Sequence, residues 1–312
     1  MSTQYDLELS KQIKQLAHDN RMDLVGFSPI ERFAKAPKPV RPESHLPEAK
    51  AVIAMCIRYP FALFENAGRG DADSMAGIEV YQNTVIGLLL YKAAWRLARA
   101  LEDAGHQAIP MCVSGKWSVH PHKGIETEWM ADFSNRHAAV AAGLGELGLH
   151  GLCITPQFGT RQRFVSVITS APLQPDPMYT GPALCDGCDA CLKRCPMKAI
   201  DPTVKETVDF GERQFTYYRI DHWRCGWSEQ ADMNIEEGPK HFGNTAKAHI
   251  MPPHGAKIDD KLFLDSLSRK WREGGLQTKY THAMGMCMRV CRPPHLRGIK
   301  KFAAEALHAA PY

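Results

Sequence analysis

Apolar residues first recur at helical spacing near the start of the chain. Leu7, Ile13, Leu16 and Ala17 predict a helix over residues 7–19. Two short and nearly unbroken apolar runs, residues 23–27 and 51–57, predict buried strands. The stretch between them, KAPKPVRPESHLP, is too proline-rich for regular structure. Polar, glycine-containing ENAGRGDADS leads into a long amphipathic helix over 84–103, and a strand is expected over 107–113. Residues 116–128 hold Trp117, His120 and His122, with Trp129 just beyond, and read as a functional or lining loop. An alanine-rich helix over 135–144 and strands over 149–155 and 163–169 complete the series. Strands alternating with helices argue an α+β fold of α/β-like pattern. The composition changes at APLQPDPMYTGP, which reads as a linker. Beyond it, short helices and loops around cysteines are expected. The division is residues 1–175, a sheet domain, and 176–312, a cysteine-rich domain.

Of the 312 residues, 44% are hydrophobic and 23% charged, enough to bury a sizeable core and to exclude global disorder. The net charge of +4 is too small to signal a nucleic-acid binder by itself. The longest apolar stretch, 85–101, is interrupted by Lys92, Arg96 and Arg99, so no membrane helix is expected. The N-terminus carries neither a secretory nor a twin-arginine signal pattern, and a cytoplasmic location is expected.

Ten cysteines change the picture. In a reducing compartment they bind metal, do chemistry or pack as small hydrophobes. Cys56, Cys112 and Cys153 lie in apolar strand-like runs and are expected in the core. Residues 185–196, CDGCDACLKRCP, are C-x2-C-x2-C-x3-C-P, the bacterial ferredoxin run. Three thiolates two residues apart wrap one cluster, and the fourth cysteine serves another. A zinc site would more usually use two C-x2-C pairs. Later, MGMCMRVCRP keeps the x3 spacing in Cys287 and Cys291, and Cys225 stands alone. The assignment is Cys185, Cys188, Cys191 and Cys291 for one cluster and Cys195, Cys225 and Cys287 for the second. The second cluster's remaining position falls at Met284, a poor iron ligand. His282, a non-protein ligand or a three-iron cluster would also satisfy it.

These motifs, with DNRMDLVGFSPI, HLPEAKAVIAMCIRYP and SNRHAAVAAGLGELGLHGLCITPQFGTRQRFVSVITSAPL, resemble the corrinoid iron–sulfur reductases, the family of reductive dehalogenases and epoxyqueuosine reductases. The resemblance runs from about residue 7 to 294. It implies a nitroreductase-like domain that binds cobalamin, followed by a ferredoxin-like domain with two iron–sulfur clusters. Electrons would pass through the clusters to cobalt. The chain departs from the family pattern at Met284 and at Cys291-Arg292-Pro293, where Cys-Pro is usual. The acidic proton donor of epoxyqueuosine reductases falls at Trp129, flanked by Glu128 and Asp132. With 21 residues after Cys291, the C-terminal repeat region of those enzymes is missing.

Gly143, Gly145 and Gly148 form a GxGxxG that ends a helix and lacks a following acid, so nucleotide binding is not expected. They serve close backbone approach, to packing neighbours or to a flat macrocycle. Gly143, Gly145, Phe158 and Arg163 are the candidate cofactor contacts. Arg161, Glu128, Asp132 and His120 are the candidate catalytic groups, for anion binding and proton delivery. Arg289, Arg292, Arg297, Lys300 and Lys301 form a basic cluster suited to an acidic ferredoxin or flavodoxin donor. The leading expectation is a cobalamin-dependent reductase that cleaves a halide, hydroxyl or ether from a small organic molecule. Rival readings are an electron-transfer protein without corrin and an epoxyqueuosine reductase acting on tRNA. Modest charge argues against nucleic acid.

Overall fold

The computed structural model describes residues 4–61, 72–113, 131–195, 197–225, 261–262, 265 and 285–298, with side chains of 72–84 and of Met286 excepted. In chain order its elements are α1 (Leu7–Asp19), β1 (Leu24–Pro29), α2 (Pro42–His45), β2 (Ala51–Arg58), α3 (Ala72–Asp103), β3 (Ala108–Pro110), α4 (Asn135–Ala141), β4 (Glu146–Leu147), β5 (Cys153–Ile154), β6 (Gln162–Thr169), α5 (Ala190–Arg194), β7 (Ile200–Asp209), β8 (Gln214–Ile220) and α6 (Met286–Val290).

The first helix begins where Asp6 accepts the Leu9 N–H on its side chain at 2.9 Å. It ends at Asn20, followed by Arg21 in the left-handed region at φ 66°. A four-stranded sheet runs β1-β2-β6-β3, with every neighbouring pair antiparallel. The fold is therefore α+β. The central strand β2 is an unbroken apolar run because both its faces are covered. Ala51, Ile53, Met55 and Ile57 enter one core with α1 and α3, while Val52, Ala54 and Cys56 enter a second core with α4.

Several expectations need correction. The proline-rich stretch after β1 holds the short helix α2, and α3 begins at Ala72, within the polar stretch expected to precede it. The strand over 107–113 stops at Pro110, which has no N–H to donate. The period-2 alternation continues beyond it, so Met111 and Val113 are buried and Cys112, expected in the core, is exposed. The strand over 149–155 shrinks to Cys153–Ile154, preceded by a turn. The region after the linker is not all short helices and loops: β7 and β8 form a long antiparallel hairpin. Phe210 and Phe215 at its tip pack into the second core beside α4, so that core draws on residues from both sides of the expected linker.

Candidate metal centre

Two short helices carry the x3 cysteine pairs in the same way. Cys191 is the second residue of α5, and Cys287 is the second residue of α6. Cys195 and Cys291 are the respective C-caps, with nearly equal backbone angles (φ −67°, ψ 113° and φ −72°, ψ 119°). The two helices pack together.

The Cys185–Cys191 loop and the residues that follow α6 line a small, partly open cavity. Cys185, Cys188, Cys191 and Cys291 all line it, together with Leu149, His150, Asp186 and Arg297. Burial, with repulsion from the neighbouring sulfurs, pushes the Cys291 thiol up to about 12. Burial likewise lifts Cys191 to about 11. Thiolates there need a cation to hold them charged. Among the described residues, no three His, Cys, Asp or Glu side chains converge closely enough to hold one metal ion. Four cysteines around a common cavity, three of them in the ferredoxin spacing, are the donor set an iron–sulfur cluster would use.

Several contacts hold the two cysteine segments in place. Arg297 donates to both oxygens of Asp186, at 2.5 and 2.6 Å, joining the segment after Cys291 to the first loop. This guanidinium holds the Asp186 carboxyl at about 2. Thr160 donates its hydroxyl to the Met288 carbonyl at 2.7 Å, and His295 Nε2 pairs with the Pro156 carbonyl at 2.7 Å. Gly159 sits at φ 63°, and a Cβ there would stand 2.9 Å from the Pro293 ring. The loop between β5 and β6 is thus shaped to receive the segment that carries Cys291.

Glu146 on β4 was not singled out by the sequence. It is 7% exposed and accepts the backbone N–H groups of Leu184, at 2.5 Å, and Cys185, at 3.2 Å. A buried carboxylate thereby fixes the entry to the first cysteine loop. Replacing Glu146 by alanine leaves two N–H groups unmatched. It is expected to cost about 2–4 kcal/mol, read as a lower denaturant midpoint at unchanged m-value. A cost below about 0.5 kcal/mol would contradict this role.

Among the cysteines expected to hold a second cluster, Cys195 Sγ accepts the Ala199 N–H at 3.2 Å. The Ala199 carbonyl accepts from Asp221 N at 2.8 Å, and Cys225 N donates to Asp221 O at 3.0 Å. These links bring the Cys225 turn to the neighbourhood of Cys195. Met284 and His282 lie outside the described residues, as do Glu128, His120, His122 and Trp129.

The remaining candidates are spread over the sheet domain. Arg161 is buried, with its guanidinium 5.0 Å from the Phe61 ring centre. Arg163 on β6 approaches Gly87 of α3. Asp132 precedes Phe133, and its carbonyl pairs with His45 Nε2 at 3.1 Å. Phe158 is buried in the second core. Gly143, at φ 78°, and Gly145 meet the chain itself: a Cβ on either would stand about 2 Å from a carbonyl oxygen, of Pro177 and Ile154 respectively. The close approach of these two glycines is to packing neighbours. Cys56 and Cys153 are core residues as expected, and burial raises both thiols well above their usual range.

Among the described residues no helix is long and apolar enough to cross a membrane. No protein-family model matches the chain. It is similar to the tetrachloroethene reductive dehalogenase of Sulfurospirillum multivorans, 47% identical over 64 residues, which are 20% of this chain and 13% of that protein. It is also similar to the epoxyqueuosine reductase of Bacillus subtilis (strain 168), 26% identical over 166 residues, 52% of this chain and 38% of that one. A solved reductive dehalogenase shares its fold with a TM-score of 0.53 at 18% identity, over 90% of this chain and 37% of the other. The resemblance read from the sequence is borne out: the chain has relatives in both branches, and both are oxidoreductases. The matches cover a minor part of each relative.

Proposed function

We propose that the chain is an iron–sulfur reductase. It takes single electrons from an external donor, a reduced ferredoxin or flavodoxin, and uses them to cleave a small organic substrate bearing a halide, hydroxyl or ether. The observation that carries this is the cavity lined by Cys185, Cys188, Cys191 and Cys291. A cluster bound there supplies one-electron transfer at a potential set by its surroundings. The chain's own residues hold four thiolates in place, and Arg297 and Thr160 keep the two contributing segments together. The matched geometry of α5 and α6 supports a second cluster on Cys195 and Cys287, with Cys225 beside it. Of the basic cluster expected to meet an acidic donor protein, Arg289 is buried and Arg297 is paired with Asp186, while Lys300 and Lys301 lie outside the described residues, so the donor rests on the cluster reading alone.

Cobalamin belongs to the proposal through kinship: the solved dehalogenase is described as B12-dependent. Gly143, Gly145 and Phe158 pack against the chain itself, so a corrin would have to be held by other residues. Arg161, Asp132, Glu128 and His120 remain the proposed substrate-binding and proton-delivering groups, in a cytoplasmic enzyme.

A second reading, an epoxyqueuosine reductase acting on tRNA, is favoured by the longer match to that branch. The expectation that nucleic acid is no partner is accordingly not supported. Metal content after anaerobic reconstitution with cobalamin tests the proposal. About seven or eight iron and one cobalt per chain are expected. Iron without cobalt would point instead to an electron-transfer protein. A change in the cobalamin spectrum on adding halogenated or ether substrates supports the first reading; a response only to modified tRNA supports the second.

A further inference from the structure

We propose that His150 donates a hydrogen bond from Nε2 to a sulfur of the cluster held by Cys185, Cys188, Cys191 and Cys291, and so raises that cluster's reduction potential. The inference rests on the cluster reading of this cavity and assigns a residue that tunes it. His150 lines the cavity with the four cysteines and is 4% exposed. Its Nδ1 accepts the Leu152 N–H at 3.1 Å. A nitrogen that accepts carries no proton, so the ring is neutral and the proton sits on Nε2. That Nε2 is buried and has no hydrogen-bond partner among the described residues. A buried N–H without an acceptor is costly, and native structures rarely leave one. Cluster sulfur and thiolate are the acceptors this cavity would offer.

The ring is also held still. The turn from β4 to β5 is closed by Gly148 N–H to Leu152 O at 3.0 Å and by Gly151 N–H to Gly148 O at 2.8 Å. Gly151 takes φ 71°. Tyr218 N–H on β8 donates to Leu149 O at 2.9 Å. A Cβ at Gly148 would stand 2.8 Å from His150 Cε1, so glycine there leaves the imidazole its place. The donor is therefore fixed before a cluster arrives. An N–H directed at cluster sulfur favours the more negative, reduced state, which moves the potential up.

The test is a redox titration of the anaerobically reconstituted full chain followed by electron paramagnetic resonance, with His150→Phe and His150→Gln beside the native protein. Phenylalanine fills the space without a donor, and glutamine restores an N–H. In His150→Phe one cluster should titrate at lower potential and the other should stay unchanged, with iron content intact. The reduced-to-oxidised ratio at the native midpoint should fall about tenfold, ~59 mV for a one-electron couple. Glutamine should recover part of the shift. Native protein should also show an exchangeable proton strongly coupled to the reduced cluster, lost in deuterium oxide and missing from His150→Phe. Both potentials unchanged in an iron-replete His150→Phe protein would overturn the proposal. If His150→Phe fails to retain iron, absence of the coupled proton in the native protein overturns it. Native protein that takes up no iron would overturn the cluster reading and this inference together.

Discussion

Replacing Cys291 by serine is expected to remove the same cluster that replacing Cys188 removes. The two residues lie far apart in sequence, yet both line one cavity. Each single change should cost about half the iron, four of roughly eight atoms, with part of the sulfur-to-iron charge-transfer absorbance. The double change should cost no more than either one, because ligands of one cluster act as a unit and their losses do not add. Iron and sulfide analysis of the three variants decides it. A double variant stripped of nearly all iron would place the two cysteines on different clusters. Neither outcome depends on the substrate or on the presence of a corrin.

Gly143→Ala should be the most damaging single methyl group in the sheet domain. Gly143 has φ 78°, and the added carbon would stand 2.1 Å from the Pro177 carbonyl oxygen. Left-handed strain costs about 1–2 kcal/mol and forced overpacking another 1–3, so the sum is about 2–5 kcal/mol. The measurement is the unfolding midpoint of the chain before any cofactor is added. A lower midpoint in that form shows a glycine needed by the protein's own packing. Unchanged stability, with weaker cofactor uptake, would instead give the glycine to a ligand.

Much of this arrangement could be read from residue patterns. The ends of α1 coincide with the predicted helix, and β2 follows its apolar run, since burial on both faces writes the strand directly into composition. The ferredoxin spacing led to Cys185, Cys188 and Cys191, and the x3 spacing of Cys287 and Cys291 supplied the fourth cysteine of the cavity. The β7–β8 hairpin escaped because most of its side chains are wholly or partly in contact with solvent. VKETVD carries too little apolar alternation to announce a strand. Cys112 misled because a short apolar run looks alike whether its residues point in or out. Glu146 and His150 were invisible for a different reason. Their importance comes from backbone N–H groups and a cavity that exist only after distant segments meet, and nothing near them in sequence records that.

The reach of Cys291 to the first loop has a consequence for how the protein matures. A cluster in that cavity is a covalent staple between Cys191 and Cys291, closing a loop of about a hundred residues. By analogy with a disulfide over that span, it removes roughly 4–5 kcal/mol of chain entropy from the unfolded ensemble. Such a staple could close only after residue 291 has been made, which would place iron insertion late in folding. If the proposed cluster forms, chains made under iron limitation would lack this tie between the two cysteine segments.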